Sequence, residues 1–239
     1  MKKLLRTIFL WIPLALVTLS VLWVVMLKWV PVYVTPLMLK RAVEYRSDKD
    51  FKTRHDWVPL EKMSPEMIKA VVTSEDNLFF EHKGFDWKAI KAAKEYNEKH
   101  IDPQTGKPTK RRGGSTISQQ TAKNVFTFQR RTVLRKAVES YFTVLIEWIW
   151  GKERIMEVYL NVAEMGKGIY GCQAAAQTYF KKDAIKLGRR ESCLIAVCLP
   201  SPIKRNPARP SNYVSNQSER IRKRVPNILY PDWVTERAK

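Results

Sequence analysis

The sequence has little of the residue types on which metal centres and disulfide frameworks depend. Cysteine and histidine each occur three times in 239 residues. The cysteines Cys172, Cys193 and Cys198 include no C-x-x-C pair, and their odd number does not close into a disulfide framework. The histidines are scattered without the spacing of metal ligands. We therefore predict no dedicated metal site and interpret the cysteines as small buried hydrophobic residues.

Acidic residues are also scarce. The chain has 23 Asp and Glu against 43 Lys and Arg, which gives a formal net charge of +20. A surface of this kind attracts polyanions, so nucleic acid, anionic lipid headgroups and a phosphorylated substrate are all candidate partners. The alternative is that most of the lysines simply form a solvated basic surface.

Charge is absent altogether from Thr7 to Leu27. As a helix these 21 residues would extend about 31 Å, enough to span the hydrocarbon core of a bilayer. Lys2, Lys3 and Arg6 precede the run, which predicts a cytoplasmic N-terminus. A cleaved signal peptide is the alternative, but the run is long and no A-x-A-like site follows it. We therefore predict an uncleaved single-pass anchor in residues 1–30.

An uncleaved anchor has consequences for the rest of the chain. The bulk of the protein would lie outside the cytoplasm, which excludes nucleic acid as a partner despite the positive charge. The basic surface would instead face the membrane. We predict a connector in residues 31–60 and one domain in residues 61–239.

Two-residue alternation of apolar and polar side chains is scarce, and helical patterns dominate instead. Ser64 and Pro65 are typical of a helix start. Further helices are predicted at Trp87 to Glu98, Ser118 to Trp150 with a break near Phe126 to Arg131, Lys152 to Val162, and Val214 to Val225. The fold class is therefore mainly α.

Glu75 lies on the apolar stripe of its predicted helix, together with Ile68, Val71 and Val72. It is also near the helix C-terminus, where the helix dipole disfavours negative charge. Both effects should raise its pKa and make it a better proton acceptor than an exposed glutamate. The alternative is a structural carboxylate that is ion-paired to one of the many lysines.

Glu139 lies on a similar face, with Phe142 and Ile146 following it at helical spacing. At ~100° per residue, Arg131 and Lys136 would flank it within an arc of about 140°. This arrangement fits either a helix-surface ion network or a site that binds an anion.

Together these features indicate chemistry on a phosphorylated sugar. Paired carboxylates carry glycosyl transfer and glycoside hydrolysis. Clustered Arg and Lys hold phosphate. A basic, glycine-rich loop beside them could close over a long ligand. Sugar, phosphate and membrane combined in one site indicate a lipid-linked sugar.

Five segments between Glu75 and Pro207 match, in order, the motifs of a known family. They are EDNLFFEHKGFD (Glu75 to Asp86), RRGGSTISQQTAKN (Arg111 to Asn124), RKAVES (Arg135 to Ser140), RIMEVYLNVAEMGKGIYG (Arg154 to Gly171) and PSPIKRNP (Pro200 to Pro207). The chain resembles the peptidoglycan glycosyltransferases, which comprise the polymerising domain of bifunctional penicillin-binding proteins and the monofunctional biosynthetic transglycosylases.

The resemblance implies a mainly α, lysozyme-like, two-lobed domain preceded by one transmembrane helix. It also implies an inverting reaction that polymerises lipid II into β-1,4-linked glycan strands with release of undecaprenyl diphosphate. The partners would be lipid II, the growing glycan chain and the membrane, with other cell-wall synthases or division proteins as further candidates. The location would be the bacterial inner membrane, with the catalytic domain periplasmic. No cofactor is required by the sequence, and a divalent cation, Mg or Mn, is a candidate.

The matching motifs also carry roles for individual residues. Glu75 would be the general base and Glu139 a second carboxylate near the donor's diphosphate. Lys123, Arg131 and Lys136 would clamp that diphosphate. The remaining substrate-binding residues would be Gly114, Ser115, Thr116, Gln119, Gln120 and Asn124. The third motif departs from the family, because Val138 stands where a lysine usually precedes the glutamate.

Several motif residues are predicted to be structural. Asp76, His82 and Asp86 would fix the turn after the first helix, while Glu157 and Asn161 would support the fold. Two other functions stay open: a lytic hydrolase on a related fold, and a membrane-anchored scaffold without catalysis. A hydrolase has no need of a diphosphate clamp, and a scaffold would tolerate loss of Glu75.

Overall fold

The computed structural model describes residues 7–102, 105, 109, 110, 112–128 and 132–236, and helices dominate them. A short π-helical turn, Thr7–Trp11, precedes the first α-helix. The α-helices are α1 (Ile12–Met26), α2 (Pro36–Glu44), α3 (Pro65–Glu75), α4 (Trp87–Lys99), α5 (Ile117–Phe126), α6 (Val133–Ile149), α7 (Gly151–Val162), α8 (Cys172–Phe180), α9 (Arg189–Cys198), α10 (Asn212–Arg224) and α11 (Asp232–Thr235). The mainly α, lysozyme-like architecture with one preceding apolar helix is therefore confirmed.

Side-chain caps fix where the central helices begin. Ser64 accepts a hydrogen bond from the backbone N–H of Glu66 and starts α3, as predicted. Thr132 accepts one from the N–H of Arg135 and starts α6. The predicted break between α5 and α6 is thus confirmed, and it carries a correction. Because α6 begins at Val133, the helical arc that grouped Arg131 with Glu139 does not apply, and Arg131 lies outside the described residues.

The described residues also form a small sheet that the sequence pattern did not predict. Its strands are β1 (Arg54–His55), β2 (Glu164–Gly166) and β3 (Ile169–Tyr170), in the order β1-β3-β2. β1 is parallel to β3, and β2 is antiparallel to it. Strands of two or three residues are too short to show an alternating pattern. The sheet joins the predicted connector to the body of the domain, so the boundary placed at residue 60 stays a prediction.

The core is built mainly on α3, α5, α7 and α9. α9 packs on both α3 and α10, and α5 packs on both α6 and α7. Ile68, Ile117 and Ile155 are fully buried in one continuous cluster. The three cysteines are buried and free, which confirms their interpretation as hydrophobic core residues.

Asn161 joins the predicted connector to α7, as expected of a structural residue. Its Oδ1 accepts a hydrogen bond from Val58 N–H at 3.0 Å, and its Nδ2 donates to Val58 O at 2.9 Å. Glu157 forms an ion pair with Arg154 at 2.7 Å. Both side chains therefore support the fold around α7.

The N-terminal helix is apolar, and its C-terminal end packs against the domain. Phe9–Met26 is long and apolar enough to cross a membrane, by length and composition. The end of this segment contacts α6 and α7: the Trp150 indole N–H donates to Val24 O at 2.7 Å, and Val24 is fully buried. Trp23 lies edge-on to Phe126, with ring centroids 5.2 Å apart. The helix is thus packed against the domain by its C-terminal end.

Candidate active site

Glu75 is the last residue of α3 and is half-buried. The Gln120 amide on α5 donates a hydrogen bond to Glu75 Oε2 at 3.0 Å. Burial raises the pKa of Glu75, the neighbouring Asp76 adds to the rise, and the Gln120 hydrogen bond and Lys123 oppose it. The raised pKa predicted from the helix pattern is confirmed.

Asp76 braces the turn that follows Glu75. Its carboxylate contacts His82 Nε2 at 2.9 Å and accepts a hydrogen bond from the Ile117 N–H, also at 2.9 Å. His82 in turn accepts from the Gly84 N–H, and Asp86 caps the start of α4. These contacts join the C-terminus of α3 to the N-terminus of α5, which holds Glu75 and Gln120 together.

Glu139 is the centre of a second, charged cluster. Its side chain is only 3% exposed, and its two oxygens contact the guanidinium of Arg135 and the ammonium of Lys136. The motif resemblance predicts Lys136 at this position but gives Arg135 no role. The signal was available, because Arg135 precedes Glu139 by four residues and such pairs face each other on a helix.

Lys123 lies on α5, one turn after Gln120, and interacts with both carboxylates. Burial lowers its pKa; the fields of Glu139 and Glu75 oppose the fall, while Arg135 and Lys136 add to it. Among the described residues, no carboxylate lies within 4.0 Å of its ammonium in an ion pair. The structure thus places a desolvated ammonium in the field of both carboxylates, where it can bind an anionic ligand.

Thr116 and Gln119 form the cap of α5. The Thr116 hydroxyl accepts from the Gln119 N–H at 3.1 Å and donates to Gly84 O at 2.6 Å, while Gln119 Oε1 accepts from the Thr116 N–H. Both residues, and Asn124, are buried. These residues first of all shape the helix, and their direct contact with substrate stays a prediction.

Gly114 and Ser115 form a wall between two cavities. The first cavity, of about 260 Å³, is lined by Glu75, and the second, of about 590 Å³, by Lys136. A Cβ on Gly114 would lie 3.1 Å from Ala89 O, so a side chain at this position would crowd α4. The predicted glycine-rich stretch therefore separates the general-base candidate from the cationic cluster.

Sequence reasoning missed two arginines at these cavities. Arg224, at the end of α10, lines the Glu75 cavity, and Arg112 lines both cavities. Arg224 is 149 positions after Glu75, so no local pattern connects the two. In the described part of the chain, no group of three or more His, Cys, Asp or Glu side chains could hold a metal ion.

Comparison with known proteins identifies the family of this chain. Residues 41–226 match the model of the transglycosylase family. A biosynthetic peptidoglycan transglycosylase of Bdellovibrio bacteriovorus is 49% identical over 203 residues, which cover 84% of this chain and 78% of the relative. Another protein with that name, from Caulobacter vibrioides, is 46% identical over 222 residues, 93% of this chain and 91% of the relative. The chain therefore belongs to the transglycosylase family.

Proposed function

We propose that this protein is a peptidoglycan glycosyltransferase that polymerises lipid II into β-1,4-linked glycan strands and releases undecaprenyl diphosphate. One observation carries the proposal. Helix α5 carries Gln120, which donates a hydrogen bond to Glu75, the carboxylate with the raised pKa. One turn later the same helix carries Lys123, a desolvated lysine beside the cationic cluster around Glu139. A proton acceptor next to an anion-binding cluster is the arrangement that glycosyl transfer from a diphosphate needs.

Glu75 is the general base in this mechanism. It takes the proton from the acceptor sugar hydroxyl as that oxygen attacks the anomeric carbon of the donor. The bond from that carbon to the diphosphate oxygen breaks, and the configuration inverts. Burial disfavours the ionised form of Glu75, so its carboxylate is a stronger proton acceptor than an exposed one.

The leaving diphosphate collects negative charge as the glycosidic bond breaks. Lys123, Lys136 and, by the motif resemblance, Arg131 stabilise that charge. Arg135 joins them, because it shares Glu139 with Lys136. Glu139 is then the buried carboxylate that orients Arg135 and Lys136 toward the ligand. Its proposed role is to position the cations that bind the diphosphate.

The test is polymerisation of labelled lipid II by the detergent-solubilised full chain, with products resolved by size. A ladder of growing polymer is expected. Shortening of preformed glycan without any polymer would indicate the lytic hydrolase. Absence of both activities would indicate the membrane-anchored scaffold without catalysis. Parallel reactions with EDTA and with added Mg²⁺ test the candidate divalent cation separately.

The protein associates with the membrane through its apolar N-terminal helix. We propose that the N-terminus is cytoplasmic and that the domain lies periplasmic, against the membrane surface. The exposed outer face of α6 supports this orientation, since it carries Leu134, Val144 and Trp148. The Ser20 hydroxyl on α1 lies 2.7 Å from the Tyr141 hydroxyl on α6, so the apolar face of α6 lies beside the anchor.

The pH dependence of kcat/KM should have two limbs. Activity falls at low pH as Glu75 takes up a proton, and this limb lies above the ordinary glutamate range because its pKa is raised. Activity also falls at high pH as Lys123 loses its charge, at a pH below that of an ordinary lysine. Lys123→Arg should remove the alkaline limb and keep the acid limb, because arginine stays protonated. An unchanged alkaline limb in this variant would contradict the role given to Lys123.

Glu139→Gln should lower both turnover and stability. The substitution leaves Arg135 and Lys136 without their shared carboxylate. Lost hydrogen bonds to charged groups cost about 2 kcal/mol, and we expect no more here because the Lys136 side chain is 45% exposed and reaches solvent. Chemical denaturation measures the free energy of unfolding. Glu95→Gln, on the exposed face of α4, is the control and should change neither property.

A further inference from the structure

Two arginines from different parts of the chain line the cavity that also contains Glu75. Arg224 is the last residue of α10, and Arg112 directly precedes the Gly113–Gly114 pair. Both side chains are exposed, and both line the cavity of about 260 Å³ that also contains Glu75. Among the described residues, neither guanidinium has a carboxylate within ion-pair distance.

The acidic residues of this cavity do not account for the arginines. Asp76 is engaged by His82 and by the Ile117 N–H, and Asp86 by the Ala89 N–H. Their carboxylates therefore serve the turn and the cap of α4. The two arginines therefore line a cavity of about 260 Å³ and form no ion pair with its acidic residues.

The backbone of Arg112 is held in place. Asn97 on α4 accepts a hydrogen bond from the Arg112 N–H at 2.7 Å and donates one to Arg112 O at 3.0 Å. This paired contact fixes where the side chain starts, although the side chain itself is exposed. A fixed backbone lowers the entropy that the arginine loses when it binds a ligand.

The cavity belongs to the acceptor side of the reaction. Glu75 lines it, whereas Lys136 lines the neighbouring cavity beyond Gly114 and Ser115. If Glu75 takes the proton of the acceptor hydroxyl, the acceptor must occupy the cavity that Glu75 lines. The diphosphate of the donor lies with the cations around Glu139.

We propose that Arg112 and Arg224 bind an oxyanion of the incoming lipid II and thereby select an anionic acceptor. The inference rests on the proposed function and adds the two residues that recognise the acceptor. Guanidinium binds phosphate and carboxylate oxygens with two parallel hydrogen bonds. Lipid II carries both kinds of group, the diphosphate and the carboxylates of its peptide stem.

The test varies lipid II as acceptor while a preformed lipid-linked glycan strand is present in excess as donor. Arg224→Gln should raise the acceptor KM about tenfold and leave kcat nearly unchanged, as expected from loss of one charged, two-point contact. Arg224→Lys keeps the charge but loses the planar guanidinium, so its acceptor KM should lie between those of the unmodified protein and Arg224→Gln. Lys223→Gln is the matched control, since it removes the same charge from the adjacent exposed residue, which does not line the cavity.

A lipid-linked disaccharide diphosphate without the peptide stem separates the two sources of oxyanion. If Arg224→Gln still raises the KM for this stem-free acceptor, the arginines bind the diphosphate. If the substitution no longer changes that KM, they bind a carboxylate of the peptide stem. Equal KM values for Arg224→Gln and Lys223→Gln would overturn the proposal, as would an effect seen only in anionic vesicles and not in neutral detergent. Absence of polymer from the unmodified protein would instead refute the proposed function.

Discussion

Glu75→Gln is expected to abolish nearly all polymerisation while leaving the fold intact. Glutamine keeps the size of the side chain and an oxygen that can accept the Gln120 hydrogen bond, but it cannot take a proton. Loss of a general base costs about 10² to 10⁴ in rate. Single-turnover polymerisation of labelled lipid II measures the loss. Glu81→Gln, an exposed glutamate on the following turn, is the control and should retain full activity.

The same substitution should not lower stability at neutral pH, and this separates it from a folding defect. The folded protein raises the pKa of Glu75, so it binds this proton more tightly than the unfolded chain does. Protonated Glu75 therefore contributes to stability at low pH. This contribution is lost as the pH rises from the ordinary glutamate pKa of about 4.3 through the raised pKa of Glu75 in the folded protein. Above that value the ionised, desolvated carboxylate costs stability, and glutamine avoids the cost.

Thermal unfolding at acid and neutral pH tests this relation directly. Near the ordinary pKa of a glutamate, Glu75→Gln and the unmodified protein should unfold at similar temperatures. At neutral pH the variant should unfold at an equal or higher temperature. A lower unfolding temperature together with lost activity would mean that Glu75 supports the fold, and full activity would refute its role as the base.

Local patterns were enough to predict Glu75 and the charge around Glu139. The apolar stripe of α3 and the helix end lie within eight residues of Glu75, so its burial and raised pKa could be derived from the sequence. The i,i+4 pair of Arg135 and Glu139 is equally local, although the helical arc derived from the sequence named Lys136 and Arg131 as the flanking cations and not Arg135. Helix periodicity predicts such features because the backbone alone brings these side chains together.

Features that depend on distant parts of the chain could not be predicted in the same way. Arg224 reaches the Glu75 cavity only because α10 packs on α9 and α3. The cap of α5 is local by contrast, because Thr116 and Gln119 have the T-x-x-Q spacing of a capping box, although the motif resemblance gave them only a substrate-binding role. The arc that grouped Arg131 with Glu139 is wrong for a local reason too, since it assumes an unbroken helix across the predicted break, and α6 begins at Val133.

Deletion of residues 1–30 should destabilise the domain even in detergent, where a simple membrane tether would be dispensable. The end of the anchor is part of the core, because Val24 is fully buried and Leu27 is 6% exposed. Burial of two such side chains stabilises a fold by about 1.5–3 kcal/mol each. Arg154 Nη2 also donates to Leu27 O at 2.8 Å and to Val30 O at 2.7 Å.

The loss would extend to the site through aromatic contacts. Trp23 packs on Phe126 at the end of α5, and Phe126 stacks on Phe142 of α6 with ring centroids 4.3 Å apart. These two helices carry Lys123 and Glu139. The deletion also leaves the Trp150 indole N–H without its carbonyl partner, at a cost of about 1–3 kcal/mol if it stays buried.

A shorter deletion separates the tether from the packing. Removal of residues 2–19 takes away most of the apolar span but keeps Ser20, Trp23, Val24 and Leu27. It should polymerise detergent-dispersed lipid II nearly as well as the full chain and fail on lipid II in vesicles. Removal of residues 1–30 should lower both activities and the free energy of unfolding, by about 5 kcal/mol from the buried groups lost. Equal stability of the two truncated proteins would show that the anchor only tethers, whereas the expected difference makes its last turns part of the catalytic domain.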